Sequence, residues 1–228
     1  MAQSSSSNPE PATQEPAQSQ PQAPAVSNSQ QGQENVRVRI RARREQRRAQ
    51  AIHDTYSHTY EAFVGGGYIR MTPGPNLQRL TMYSWDVALT RYQNERLGIT
   101  VDGRGYYGTA YVGLNSTGFT RPAISHYDVL AGPTYRFYIR PKYSIAGRVM
   151  GGLAHSNFAS DTNGFGTAVL GLYPDSNTYA ISAGVIGEVN ITPNLSLRLA
   201  PEYFANGFGS TFQGDPGFTY GFVYRFGK

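Results

Sequence analysis

From Tyr60 to the carboxyl end the side chains alternate in character with a period of two, and clusters of Gly, Pro and Asn break the alternation at intervals. Period two marks a β-strand with two unlike faces, where a helix would repeat every 3.6 residues. Eight such segments run roughly Tyr60 to Met71, Met82 to Arg91, Leu97 to Tyr107, His126 to Phe137, Tyr143 to Ala154, Tyr179 to Asn190, Leu195 to Phe204 and Phe218 to Phe226. Their connections alternate in length. "QNER", "IRPK" and "ITPN" are tight turns, whereas "TPGPNLQRLT", "GTAYVGLNSTGFTRPAIS", "SNFASDTNGFGTAVLGLYPDSNT" and "ANGFGSTFQGDPG" are long. In an antiparallel meander, that order gathers the short turns at one end and the long loops at the other. The reading is an all-β fold: an eight-stranded antiparallel up-and-down transmembrane β-barrel, the class in which short turns and long loops segregate in this way.

Parity sorts the residues onto two faces. In the second segment Tyr83, Trp85, Val87 and Leu89 oppose Ser84, Asp86, Ala88 and Thr90; in the third, Leu97, Ile99 and Val101 oppose Thr100, Asp102 and Arg104. The fourth sets Tyr127, Val129, Tyr135 and Phe137 against His126, Asp128, Thr134 and Arg136. Arg148, Glu188, Arg198 and Glu202 likewise oppose apolar neighbours, and Arg225 stands alone against Phe218, Tyr220, Phe222, Tyr224 and Phe226. The first segment, "EAFVGGGYIR", fits either register, and Glu61 is assigned to the charged face. Pattern alone does not say which face points inward, and a soluble lipocalin-like barrel would bury the apolar one. Volume decides, because an eight-stranded barrel encloses little more than its own side chains. Five rings from the closing strand alone would overfill it, so the predicted lipid-facing aromatics are Trp85, Tyr127, Tyr135, Phe137, Phe218, Tyr220, Phe222, Tyr224 and Phe226. The predicted lumen network is Glu61, Asp86, Asp102, Arg104, Asp128, Arg136, Arg148, Glu188, Arg198, Glu202 and Arg225. Isolated charges so enclosed are costly, which predicts ion pairs that plug the lumen, with Glu202 or Glu61 as the partner of Arg225.

Ahead of the strands the composition changes twice. Residues 1–35 are rich in Pro, Gln and Ser, with a single Val and no aromatic, and are expected to be disordered. Residues 36–59 form an Arg-rich linker able to turn helical, with Arg37, Arg39, Arg41, Arg43, Arg44, Arg47 and Arg48 in one short span. From residue 60 onward Lys and Arg number 13 against 10 Asp and Glu, so the seven arginines of this short run weigh heavily in the chain's net charge of +5. It reads as a solvated linker or, as a functional patch, as a surface for anionic lipid or a periplasmic anionic polymer. No aromatics are interleaved with the arginines, so no nucleic acid is expected. No apolar stretch approaches the length of a membrane-spanning helix, and the chain lacks Cys, which removes disulfides and thiolate metal sites. "MAQSSSSNPEP" has neither the charged region nor the apolar run of a signal peptide, which leaves two expectations: a protein that is not exported, or an already trimmed sequence.

The barrel segment resembles the small OmpA-like outer-membrane β-barrels of Gram-negative bacteria, the outer-membrane protein β-barrel domain family. The resemblance covers about residues 60–228 and is carried by "YEAFVGGGYIR", "LGITVDGRGYYG", "VLAGPTYRFYI", "AGRVMGGLAHS" and "FTYGFVYRFGK", in that order and spacing. It implies a monomer in the bacterial outer membrane with both termini periplasmic, wrapped by outer-membrane lipid and lipopolysaccharide. It also implies a closing strand read by the barrel-assembly machinery. Here Phe226 is followed by Gly227 and Lys228, where that signal ends on Phe.

Some small outer-membrane barrels are lipid hydrolases with a Ser–His dyad, and His155 next to Ser156 is the nearest match. Neighbours on a strand point to opposite faces and no third group orients them, so no catalytic residue and no enzyme is expected. His53, His58 and His126 have no metal spacing and read as polar loop or rim histidines. The "GGG" at 65–67 reads as close strand packing rather than a phosphate site, and no cofactor is expected. The function read from the sequence is structural or surface interaction through long loops around residues 108–125 and 155–178. A narrow, porin-like channel for small solutes or ions is the alternative, and a soluble lipocalin-like binder a weaker one.

Overall fold

The computed structural model describes residues 28–113, 115, 117–210 and 212–227. Two compact units divide the chain, Met1–Arg44 and Glu45–Lys228. Helix α1 spans Asn28–Tyr56. Of the tail expected to lack order, residues 1–27 lie outside the described residues, whereas 28–35 belong to the helix. The last proline before α1 is Pro24, and Gln30, Gln31, Gln33 and Glu34 are helix formers that outweigh the single Gly32, so the helix extends back to Asn28.

Eight strands follow: β1 Tyr60–Met71, β2 Leu80–Tyr92, β3 Leu97–Thr109, β4 Ala123–Ile139, β5 Tyr143–Asn157, β6 Ser176–Asn190, β7 Leu195–Asn206 and β8 Gln213–Phe226. They pair in sequence order as antiparallel neighbours and close into a barrel when β1 meets β8, from Tyr60 opposite Phe226 to Ile69 opposite Gly217. The fold is an all-β, eight-stranded up-and-down barrel.

Most strands run further toward the long loops than their alternation does. β8 begins at Gln213 rather than Phe218, because "QGDPG" has little side-chain contrast to alternate, yet its backbone pairs with β7 from Asn206 to Glu202. The seam between β1 and β8 depends on glycine. A Cβ on Gly65 would sit 2.6 Å from the Phe63 ring and 2.9 Å from Gly221 Cα, so both inward positions must be bare for the ring to lie across the seam.

The interior has two storeys. Charged residues fill it from the short-turn end to mid-height. Beneath the long loops, Ile69, Met82, Leu130, Met150 and Phe204 point inward and form one apolar cluster with the loop residues Phe158, Leu170, Leu172, Tyr173 and Phe208. The inward face is therefore not polar along its whole length, as parity at mid-strand suggests. Each large side chain buried here contributes on the order of 1.5–3 kcal/mol, and together they draw the β5–β6 and β7–β8 loops over the barrel mouth.

Candidate functional site

None of the eleven residues assigned to the lumen is more than 7% exposed. Strand pleating brings each one inward, and all but Asp128 gather into two ionic groups. At the short-turn end Glu61 on β1 accepts hydrogen bonds from Arg225 Nε at 2.6 Å and Arg198 Nη2 at 3.1 Å, and it also pairs with Arg136 on β4. Glu188 on β6 accepts from Arg198 Nη2 at 2.5 Å and Arg225 Nη2 at 2.6 Å, with Ser144 Oγ donating at 3.3 Å. Arg225 thus meets Glu61 and Glu188, not Glu202. The last residue of α1 closes this group from below. Tyr56, 1% exposed, donates its hydroxyl to the Arg140 carbonyl at 3.1 Å, and its ring lies 4.9 Å from the Arg136 guanidinium and 5.1 Å from that of Arg225.

The second group sits higher. Arg104 holds Asp102 bidentately at 2.9 and 2.8 Å, and its Nη1 reaches Glu202 Oε1 at 2.5 Å. Because β3 and β7 are four strands apart in a ring of eight, that last contact spans the barrel's full width. Arg148 donates to Asp102 at 3.0 Å and to Glu202 at 3.3 Å, and Ser182 Oγ donates to Glu202 at 2.8 Å. Asp86 stands 3.6 Å from Arg104 Nε, and neither of its oxygens has a hydrogen-bond partner among the described residues. The lower group sets three guanidiniums against two carboxylates, the upper two against three. Each is unbalanced by one charge, with opposite sign, so the pair of groups is neutral as a whole.

Asp128 joins neither group. Its Oδ2 is 3.5 Å from His126 Nε2, and His126 Nδ1 shares a 2.7 Å hydrogen bond with Ser156 Oγ. A hydroxyl, an imidazole and a carboxylate in series are the parts of a nucleophile relay. Sequence reasoning paired Ser156 with its neighbour His155 and placed His126 at a rim. The register His126 opposite Ser156 across β4–β5 brings the two together instead, inside the barrel. Ser156 and His126 are both fully buried, and the imidazole is caged by Tyr106, Phe204 and Phe208 at centroid distances of 5.4–5.6 Å. Ser156 Oγ is thus not open to a substrate carbonyl from solvent or lipid. His155 faces outward and shares a 2.8 Å hydrogen bond with Asn177. His58, read as a rim histidine, is 6% exposed and lies 3.2 Å from Asn194 Nδ2. No cluster of three metal-ligating side chains occurs among the described residues.

The outer wall carries the rings. Trp85, Tyr127, Tyr135, Phe137, Tyr220, Phe222, Tyr224 and Phe226 are between 39% and 56% exposed, and Phe218 is half-buried between Tyr68 and Tyr220. Val64, Val87, Leu89, Val101, Val129, Leu153 and Val185 lie in the same band. So wide an apolar belt is incompatible with a water-exposed surface and suits a membrane-spanning wall.

Solved structures share this architecture. Neisserial surface protein A matches at a TM-score of 0.52 with 16% identity, over 74% of this chain and 97% of that one. The outer membrane protein OprG from Pseudomonas aeruginosa matches at 0.50 with 11% identity, over 75% and 98%. The likeness is one of fold. No protein-family model and no curated protein matches the chain.

Proposed function

We propose that this chain is an outer-membrane barrel of the OmpA-like kind, closed to solutes, with a structural or surface-interaction role carried by its long loops. The observation that supports it best is the reach of Arg104 to Glu202 across the lumen at 2.5 Å, between a lower ionic group capped by Tyr56 and an upper apolar storey. Solute passage would have to break buried ion pairs, which costs several kcal/mol per ion.

In this reading the short turns and both termini face the periplasm, and the loops joining β3 to β4 and β5 to β6 face outward. Outer-membrane lipid and lipopolysaccharide wrap the rings, the barrel-assembly machinery reads β8, and the protein works as a monomer. It is not an enzyme, since the one relay-like constellation is sealed under three rings. Single-channel recording in planar bilayers tests the closed barrel: purified protein gives no steady currents, and reproducible conductance steps would establish the narrow-channel reading in its place.

A further inference from the structure

Helix α1 carries seven arginines. Those of its first unit, Arg37, Arg39, Arg41, Arg43 and Arg44, are all exposed and make no ion pair among the described residues. At 3.6 residues per turn Arg37, Arg41 and Arg44 share one stripe, and Arg39 and Arg43 form a second on nearly the opposite side. Arg37 and Arg41, and Arg39 and Arg43, are like charges four residues apart, an arrangement that works against the helix. Glu34 and Glu45 flank the stretch and offset part of this, but its five cations outnumber them, and a polyanion would relieve the repulsion that is left.

We infer that this stretch of α1 docks on a carboxylate-bearing cell-wall polymer, the peptidoglycan mesh beneath the outer membrane. The inference rests on the proposed orientation, with the amino-terminal side in the periplasm. Two features favour a mesh over a lipid surface. A helix lying on a bilayer gathers its apolar residues on one face and carries Trp, Phe or Leu there. Here the only large apolar residues of the stretch are Val36 and Ile40 on one side and Val38 on the opposite side, all exposed, and no aromatic occurs between Asn28 and Ile52. Cations on opposite sides also suit strands passing on both sides better than one plane. All five cations are Arg, whose planar fork binds carboxylates through two hydrogen bonds.

The full chain, folded in detergent, is sedimented with purified peptidoglycan sacculi. It should pellet with them at about 50 mM salt and be released at about 500 mM, as screening of exposed charges requires. The fivefold variant Arg37→Gln, Arg39→Gln, Arg41→Gln, Arg43→Gln, Arg44→Gln keeps good helix formers and leaves the barrel untouched, which heat-modifiable migration checks. Its bound fraction should fall tenfold or more. Equal pelleting of the variant overturns the proposal, and so does preference of the parent chain for anionic phospholipid vesicles or for nucleic acid over sacculi. Because the chain has no Cys, Ala42→Cys reports orientation through a membrane-impermeant maleimide on intact cells. Protection from the reagent with failed pelleting refutes the docking alone, whereas labelling refutes the orientation beneath it.

Discussion

Glu61 is the residue on which the lower interior turns. It touches Arg136, Arg198 and Arg225, from three different strands, and is 1% exposed. Removing one partner of a buried pair leaves the others uncompensated, at a cost of about 3–5 kcal/mol. Glu61→Ala should lower stability by that amount in urea unfolding from lipid vesicles. Asp86 provides the contrast. Arg104 keeps Asp102 and Glu202 without it, and neither Asp86 oxygen accepts a hydrogen bond. Asp86→Asn should therefore shift stability by less than about 1 kcal/mol; a loss as large as that of Glu61→Ala would show that Asp86 is integral to the upper group. For Ser156, the ring cage predicts that a fluorophosphonate probe leaves the folded protein unlabelled. Stoichiometric labelling, read by intact-mass spectrometry, would reopen the hydrolase question.

Among the elements, β8 carries the sharpest division of labour, with rings outside and Arg225 inside. Phe222 is 56% exposed on the outer wall, so Phe222→Arg sets a charge in the hydrocarbon and should cost about 2–4 kcal/mol, depending on depth. Vesicle-bound urea unfolding measures it, and a cost near zero would place this face in water. Gly65→Ala should also destabilise the barrel, by about 1–3 kcal/mol or more, since the methyl group would lie 2.6 Å from the Phe63 ring and closer still to the Tyr220 carbonyl oxygen, and the β1–β8 backbone must shift to admit it.

How much of this the sequence discloses depends on range. Parity is a local property, so the side of the wall that Trp85 or Arg225 occupies can be read from its neighbours. Pairing across the lumen is not local. Glu61 meets Arg136 from 75 residues away, and nothing in either segment specifies the other. His126 and Ser156 illustrate the same limit, because their meeting depends on the β4–β5 register and not on adjacency. The apolar storey is hidden for another reason: near the loops the inward positions turn apolar, as at Ile69, Met82 and Met150, while polar residues such as Arg70, Thr81 and His155 point outward, so polarity ceases to report direction.

At the scale of the whole molecule, the two ionic groups give the interior an odd cation near the short turns and an odd carboxylate beneath the loops, and the long loops cover that carboxylate with an apolar layer. The wall around this interior turns an apolar belt outward, as a lipid-facing surface requires. Trp85 is the chain's single tryptophan, lies on that wall and is 45% exposed, with its ring resting where a Cβ on Gly105 would come within 2.5 Å of Nε1. Its fluorescence thus reports one defined point of the outer surface. In vesicles of lipid brominated along the acyl chains, the emission should be blue-shifted and strongly quenched. Emission untouched by brominated lipid would mean that the ring does not face the acyl chains, and would contradict the assignment of charges inside and rings in lipid.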